Sequence, residues 1–184
     1  AIQSINIQSG IFCLMKDRFQ DIIWVGADGQ GIYMYFTDEF SIENVLLDVP
    51  EYRVNNPVRA LFLDHEQTLW IGTKGGGILR MMDFHPDRET LPQAERILAN
   101  NSALMDNSVY SFAPGRRNSL WIGTEDGLNY YSYLTRRIEE FPVIADGKKV
   151  KYVHSICETN DSTLWVVSAG EGIVKITLEA SSSL

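Results

Sequence analysis

Cysteine is scarce in this sequence: Cys13 and Cys157 are the only two and have no CxxC spacing, so they offer no disulfide framework. The three histidines, His65, His85 and His154, are isolated, each without a second ligand at metal spacing, and no metal site is expected. Basic charge is also in deficit, with 16 Lys and Arg against 24 Asp and Glu and a net charge of −8, which argues against binding to nucleic acid or to an anionic membrane surface. The basic pairs Arg116-Arg117, Arg136-Arg137 and Lys148-Lys149 read as solvated turns. There is no apolar run of about 18 residues and no signal-peptide pattern, so no direct membrane contact is expected from this segment. A stripe of apolar residues at helical spacing is missing too, and with it the case for a helical repeat. Acidic turns such as Asp126-Gly127 lack the D-x-D-x-D-G loop with a distal Glu that calcium would require.

Tryptophan is rare as well, and its few positions organise everything else. Trp24, Trp70, Trp121 and Trp165 all occupy one slot of a recurring phrase, at intervals of 46, 51 and 44 residues. The phrase reads IWVGADGQGIYMY from Ile23, LWIGTKGGGILRM from Leu69, LWIGTEDGLNYY from Leu120 and LWVVSAGEGIVKI from Leu164. Its glycines could suggest a phosphate loop, but such a loop opens a helix, and here a second run of strand formers follows. Short strands repeated every 40 to 50 residues or so are the signature of β-propeller blades.

Upstream of each tryptophan lies another apolar run, starting at Ile11, Val58, Val109 and Val153, with polar turn residues between the two. Each pair reads as an antiparallel hairpin. The expected fold is therefore all-β, a β-propeller with four blades of four-stranded antiparallel sheet, at residues 8–50, 55–100, 106–145 and 150–180 of one unit covering 1–184. In the second blade, strands a to d are placed at Val58 to Leu63, Thr68 to Thr73, Gly77 to Met82 and around Arg96 to Leu98. In the third they are placed at Val109 to Phe112, Ser119 to Thr124, Gly127 to Tyr131 and Ile138 to Phe141. The glycine cluster is the b–c turn, where positive φ favours Gly. Two residues into strand a stand Cys13, Ala60, Ser111 and Ser155, all small, as innermost strands converging on an axis require. Trp24, Trp70, Trp121 and Trp165 are assigned a structural role, filling the gaps between adjacent blades.

In an up-and-down blade the loop entering strand a and the b–c turn share a face. That face collects Asp28 and Gln30, and with them Arg53, Asn55, Asn56, Lys74, Asp106, Asn107, Glu125, Asp126, Tyr152 and Glu171 as candidate ligand contacts. Their amides and carboxylates suit sugar hydroxyls, and Tyr152 suits stacking on a sugar ring. No nucleophile with a base and no metal cluster can be picked out, so no catalytic residue and no cofactor are assigned. Carboxylates converging from different blades remain open at this point.

Leu69-Trp70-Ile71-Gly72-Thr73 followed by Gly76-Gly77-Ile78, and Leu120-Trp121-Ile122-Gly123-Thr124 followed by Gly127-Leu128, resemble the two-component regulator propeller repeat. The first repeat departs from it with Ala27 in place of Thr, and the fourth with Val167-Ser168 in place of Gly-Thr. The resemblance implies a non-enzymatic, periplasmic, ligand-sensing part of a hybrid two-component histidine kinase, responsive to carbohydrate, with an oligosaccharide as ligand. It also implies a larger propeller of about seven blades, whose remaining blades would be partners, and a homodimer of the full ectodomain. In that setting a closed four-bladed ring, with Ala1 to Ile7 completing the last blade, is the alternative to an open arc. Alternatives for function are a structural propeller completed by another chain and a lyase-like propeller enzyme with His or Glu at the central channel.

Overall fold

The computed structural model describes residues 2, 4–45, 50, 53–86, 92–160 and 162–178. Among these there is no α-helix, and seventeen strands carry the fold. The first blade is β1 (Ile11–Lys16), β2 (Ile22–Ala27), β3 (Ile32–Phe36) and β4 (Ser41–Asn44). The second is β5 (Val58–Leu63), β6 (Thr68–Thr73), β7 (Ile78–Met82) and β8 (Gln93–Ile97), and the third is β9 (Val109–Gly115), β10 (Ser119–Thr124), β11 (Gly127–Ser132) and β12 (Arg137–Phe141). A small hairpin, β13 (Ile144–Ala145) with β14 (Lys148–Lys149), leads into the fourth blade, β15 (Val153–Glu158), β16 (Thr163–Ser168) and β17 (Gly172–Thr177). Every sheet is an antiparallel meander in chain order, with β1, β5, β9 and β15 each at one edge. These four edge strands lie beside one another in sequence order and form the inner arc.

Strands β6 and β10 are buried at every residue. A strand covered on both faces reads as a continuous apolar run instead of an alternating one, which is why L-W-I carries no polar interruption. Three apolar clusters fill the three gaps between consecutive blades: Trp24 packs with Leu69 and Ile71, Trp70 with Val109 and Tyr131, and Trp121 with Val153 and Leu164. Each indole N–H must find an acceptor once buried. Trp24 Nε1 donates to Asp17 Oδ2 at 2.9 Å and Trp70 Nε1 to Asp64 Oδ2 at 2.8 Å, each carboxylate standing in its own a–b turn. In the third blade the matching position is Gly115, at the end of β9, and Trp121 donates instead to Glu158 Oε2 of the following blade, at 2.7 Å.

The glycine of the L-W-I-G phrase is explained by close approach of the next blade. A Cβ built on Gly26 would lie 2.7 Å from Val58 Cγ1, one on Gly72 would lie 2.8 Å from Val109 Cγ1, and one on Gly123 would lie 2.5 Å from the Val153 carbonyl oxygen. The threonine after it closes the b–c turn: Thr73 Oγ1 donates to the Gly77 carbonyl and Thr124 Oγ1 to the Gly127 carbonyl, both at 2.9 Å.

Several expectations are corrected. The fourth blade has three strands among the described residues, not four. Residues 2 and 4–7 form no strand and do not complete that blade, as the closed-ring alternative required; residues 1 and 3 lie outside the described residues. The ring does not close over these residues. Ile11, Phe12 and Leu14 of β1 are exposed at one end of the arc, and Trp165, Val167 and Ile173 are exposed at the other. The structural role assigned to the tryptophans therefore applies to three of them, since Trp24, Trp70 and Trp121 are at most 1% exposed whereas Trp165 is 39% exposed. The outer strand of the second blade begins earlier than expected, at Gln93. Cys13 is a half-buried filler against Gly26 and Val58, and burial pushes its thiol up to about 11; Cys157 is exposed, and both are free thiols.

Three tyrosines should reveal the inter-blade packing in an alkaline titration. Burial, and then a hydrogen bond to Glu125, push Tyr110 up to about 12; burial and a bond to Glu139 do the same for Tyr130. Tyr133 is driven well above the ordinary range by burial and by the Asp64 carboxylate 3.1 Å from its hydroxyl. A raised phenol pKa means that the fold holds the neutral form, so this stability is complete below about pH 10 and is lost as pH rises through the shifted values. Unfolding free energy is expected to fall steadily above about pH 10, and phenolate absorbance should rise in a late step coincident with unfolding. A single early step for all tyrosines would contradict this.

Candidate functional site

On the inner arc the register of strand a slips at the same place in all four blades. Ile11 pairs with Ala27 but Cys13 with Gly26, and Val58 pairs with Thr73 but Ala60 with Gly72. Likewise Val109 pairs with Thr124 but Ser111 with Gly123, and Val153 pairs with Ser168 but Ser155 with Val167. The skipped residue in each case is the second of the strand: Phe12, Arg59, Tyr110 and His154. A bulge of this kind re-aims one side chain and is treated as a designed feature. Here it takes those four side chains off the buried inter-blade faces, where Val58, Val109 and Val153 are fully buried, and sets them in a row along the inner arc.

The row forms two contacting pairs. The Arg59 guanidinium carbon lies 3.8 Å from the Phe12 ring centroid, and the Tyr110 and His154 rings stack at 4.6 Å with 26° between planes. Arg59 makes no ion pair among the described residues, and its Nε is buried without a hydrogen-bond partner. The Tyr110 hydroxyl donates to Glu125 at 2.8 Å, which joins the row to the b–c turn of the third blade.

The turns around this mouth are tied down by a bond repeated in every blade. The first residue of each b–c turn donates its N–H to the carbonyl just before strand a: Asp28 to Gly10, Lys74 to Pro57, Glu125 to Ser108 and Ala169 to Tyr152. Blades are also stapled to one another, since Gly75 and Gly77 donate to the Asn107 carbonyl and Tyr152 donates to the Glu125 carbonyl.

These bonds gather Lys74, Asn107, Glu125 and Tyr152, of the residues singled out from the sequence, around the mouth, and the set divides by role. Asn56 caps the Lys74 carbonyl at 3.1 Å, Asp106 accepts the Ser108 N–H at 2.6 Å, and Asn107 accepts the Ala99 N–H at 2.8 Å, so these three hold loops. The Arg53 carbonyl accepts from Arg96 at 2.8 Å, away from the row. Asn55, Lys74 and Glu171 are on the loop rim. Glu125 and Tyr152 are joined backbone to backbone beside Tyr110 and His154, with Tyr152 held at φ 50° and left exposed. Asp126 follows Glu125 and is bonded by Lys149 at 2.6 Å and Lys151 at 2.8 Å, which hold its carboxyl below the usual range. The sequence reading missed Phe12, Arg59, Tyr110 and His154 as a set. Their shared second position in strand a was a readable signal, but a bulge depends on pairing, and the third, small position drew attention instead.

Elsewhere, His65 meets the Tyr133 ring edge at 4.5 Å and His85 Nε2 lies 3.0 Å from Asp83, both away from the row. Among the described residues no group of three His, Cys, Asp or Glu is placed to hold a metal ion. A cleft of ≈ 730 Å³ runs between the outer strands of the second and third blades, floored by Arg80 and Tyr131 and flanked by Glu95, Arg137 and Glu139. The Arg80 guanidinium lies against the adjoining Trp70 and Tyr131 rings, at 4.4 and 4.9 Å, and is ion-paired to Glu95 at 2.9 Å, so its charge is already engaged.

Residues 53–75 and 103–126 match the model of the two-component regulator propeller. Each match takes in the entry loop, strands a and b and the start of the b–c turn of one blade. The sequence is 27% identical over 185 residues to a protein described as histidine kinase P4 of Formosa agariphila, covering 98% of this chain and 13% of that protein. Among solved structures, the extracellular domain of a protein assigned as a hybrid two-component system of B. thetaiotaomicron superposes with a TM-score of 0.61 at 18% identity, over 97% of this chain and 28% of that one. The β-propeller domain of Swd1 from Myceliophteria thermophila gives 0.61 at 11% identity, over 93% of this chain and 52% of the other. At such identities the structural likeness establishes the β-propeller fold. The chain spans about an eighth of the length of the histidine kinase relative.

Proposed function

We propose that this chain, which carries two-component regulator propeller repeats, is a non-enzymatic ligand-sensing segment of the extracytoplasmic part of a two-component sensor, and that its ligand is a saccharide. The observation that carries the reading is the row of four bulged side chains, Phe12, Arg59, Tyr110 and His154, set at one register along the inner arc beneath the b–c turns of a matched repeat. Aromatic faces beside hydrogen-bonding groups suit a sugar ring and its hydroxyls. The likeness to a histidine kinase and to the extracellular domain of a two-component system supports the signalling role and an extracytoplasmic, periplasmic location. A sensor of this kind acts by binding one arrangement of the ectodomain better than another and so shifting the population toward it. The remaining blades of a longer propeller and a second copy of the ectodomain are the proposed partners.

The test is a thermal-shift and calorimetric screen of the protein against oligosaccharides. A ligand bound by the native state alone stabilises it by about 2.7 kcal/mol at about a hundred times Kd, so a saturable rise in melting temperature is expected for at least one saccharide. Turnover of a saccharide in the same mixtures would overturn the non-enzymatic reading. In the row His154 and Tyr110 stack and Glu125 accepts from Tyr110, so the carboxylate is already occupied by a hydrogen bond.

A second reading is favoured by the exposed apolar side chains at the two ends of the arc, Phe12 and Leu14 at one and Trp165, Val167 and Ile173 at the other. Uncovered apolar faces mark interaction surfaces, and on this reading the propeller is structural and is completed by another chain. Light scattering separates the readings: a concentration-independent monomer that binds saccharide supports the first, and a stable dimer that binds none supports the second.

A further inference from the structure

We propose that the inner-arc row is a site for an acidic saccharide, with Arg59 binding the ligand's carboxylate. This rests on the saccharide-sensing reading above and narrows it to a class of ligand.

Arg59 stands out among the arginines of the fold. The Nε of Arg80, like that of Arg59, is buried with no partner among the described residues, but Arg80 is paired with Glu95 and Arg136 with Glu66, whereas Arg59 has no ion pair among them and only the Phe12 ring against its guanidinium. A buried donor left unmade costs free energy, and one in a native structure calls for an explanation such as a bound group. Stacking on Phe12 holds the guanidinium plane, and a fixed plane presents its N–H groups as a fork that a carboxylate fits with two parallel bonds. Lysine at the same place would supply charge without the fork.

Part of the acidic charge beside the row is neutralised, although the chain as a whole carries −8. Asp126 is matched by both Lys149 and Lys151, at 2.6 and 2.8 Å, leaving one cation of that trio uncompensated. Asp28, Asp106 and Glu171 stand on the loops of the same face, and Glu125, the carboxylate bonded to the row itself, is occupied by the Tyr110 hydroxyl. The stacked Tyr110 and His154 rings lie next along the arc from Arg59. A sugar ring packed on them would place its carboxylate toward the guanidinium and its hydroxyls toward Glu125 and the exposed Tyr152.

The test is isothermal titration of the protein with trigalacturonate and, as the neutral counterpart, maltotriose, using the wild type, Arg59→Met and Arg59→Lys. A charge-assisted bond lost from a binding site weakens affinity by about tenfold or more. Trigalacturonate is expected to bind the wild type and to lose about tenfold or more in Arg59→Met, with a smaller loss in Arg59→Lys, which keeps the charge and guards against misfolding. The melting temperatures of the variants, measured alongside, should match the wild type. Equal affinity for the two sugars, unchanged in Arg59→Met, would overturn the carboxylate site and leave saccharide sensing intact. Failure of both sugars to bind would overturn this site and count against the saccharide reading as well.

Discussion

Replacing Trp70 with alanine is expected to destabilise the fold by about 3–5 kcal/mol, whereas the same change at Trp165 should cost about 1 kcal/mol or less. The two residues occupy one slot of the repeat, so sequence position does not distinguish them. Trp70 is fully buried between the second and third blades, donates to Asp64 at 2.8 Å and lies under the Arg80 guanidinium at 4.4 Å. Its removal leaves a cavity, takes one of two donors from Asp64 Oδ2, which keeps only the Tyr133 hydroxyl, and leaves Arg80 with the Tyr131 ring alone. Trp165 is 39% exposed and touches Lys175 at 5.5 Å, so its loss empties little space. Urea unfolding of both variants checks this, and equal losses would mean that the fourth blade is covered in solution by something the arc does not show.

A single methyl group at Gly123 should be nearly as damaging as losing a large core side chain. Gly123→Ala puts its Cβ 2.2 Å from Ser111 Oγ and 2.5 Å from the Val153 carbonyl oxygen. The serine can rotate, but the carbonyl belongs to the inner strand of the next blade and moves only with that blade. Overpacking of this kind costs about 1–3 kcal/mol and occasionally more. Gly10→Ala is the control, because the nearest atom to its added Cβ is 3.5 Å away, an ordinary contact. Thermal denaturation should separate the two variants clearly; a Gly123→Ala protein as stable as Gly10→Ala would show that the blades are not seated as closely as described.

The same contact explains how the repeat departs from its own pattern. Val167 stands in the glycine slot of the fourth blade and is exposed, with no neighbouring strand a against it among the described residues. Where a following blade presses in, at Gly26, Gly72 and Gly123, only hydrogen fits. The spacing of Trp24, Trp70, Trp121 and Trp165 revealed the blades, and the hairpins of the middle two were readable almost to the residue. The candidate site was only half legible. Loop residues such as Glu125 and Tyr152 could be assigned to one face from the up-and-down order of the strands, but Arg59 and His154 looked like ordinary members of apolar strands.

Local pattern was enough for the fold because each blade is made of neighbours in sequence: a buried b strand must be apolar throughout, and a tight b–c turn needs glycine. Those constraints are written within each repeat. The inner-arc row, the acceptors of the buried indoles and the difference between Trp70 and Trp165 depend on pairing register and on which blade stands next. Trp121 reaches across to Glu158 because its own turn lacks a carboxylate, and four bulges align Phe12, Arg59, Tyr110 and His154 only once the strands have paired. Sequence determined the blade because its contacts are short-range; the tertiary structure decided the site because its contacts lie between blades.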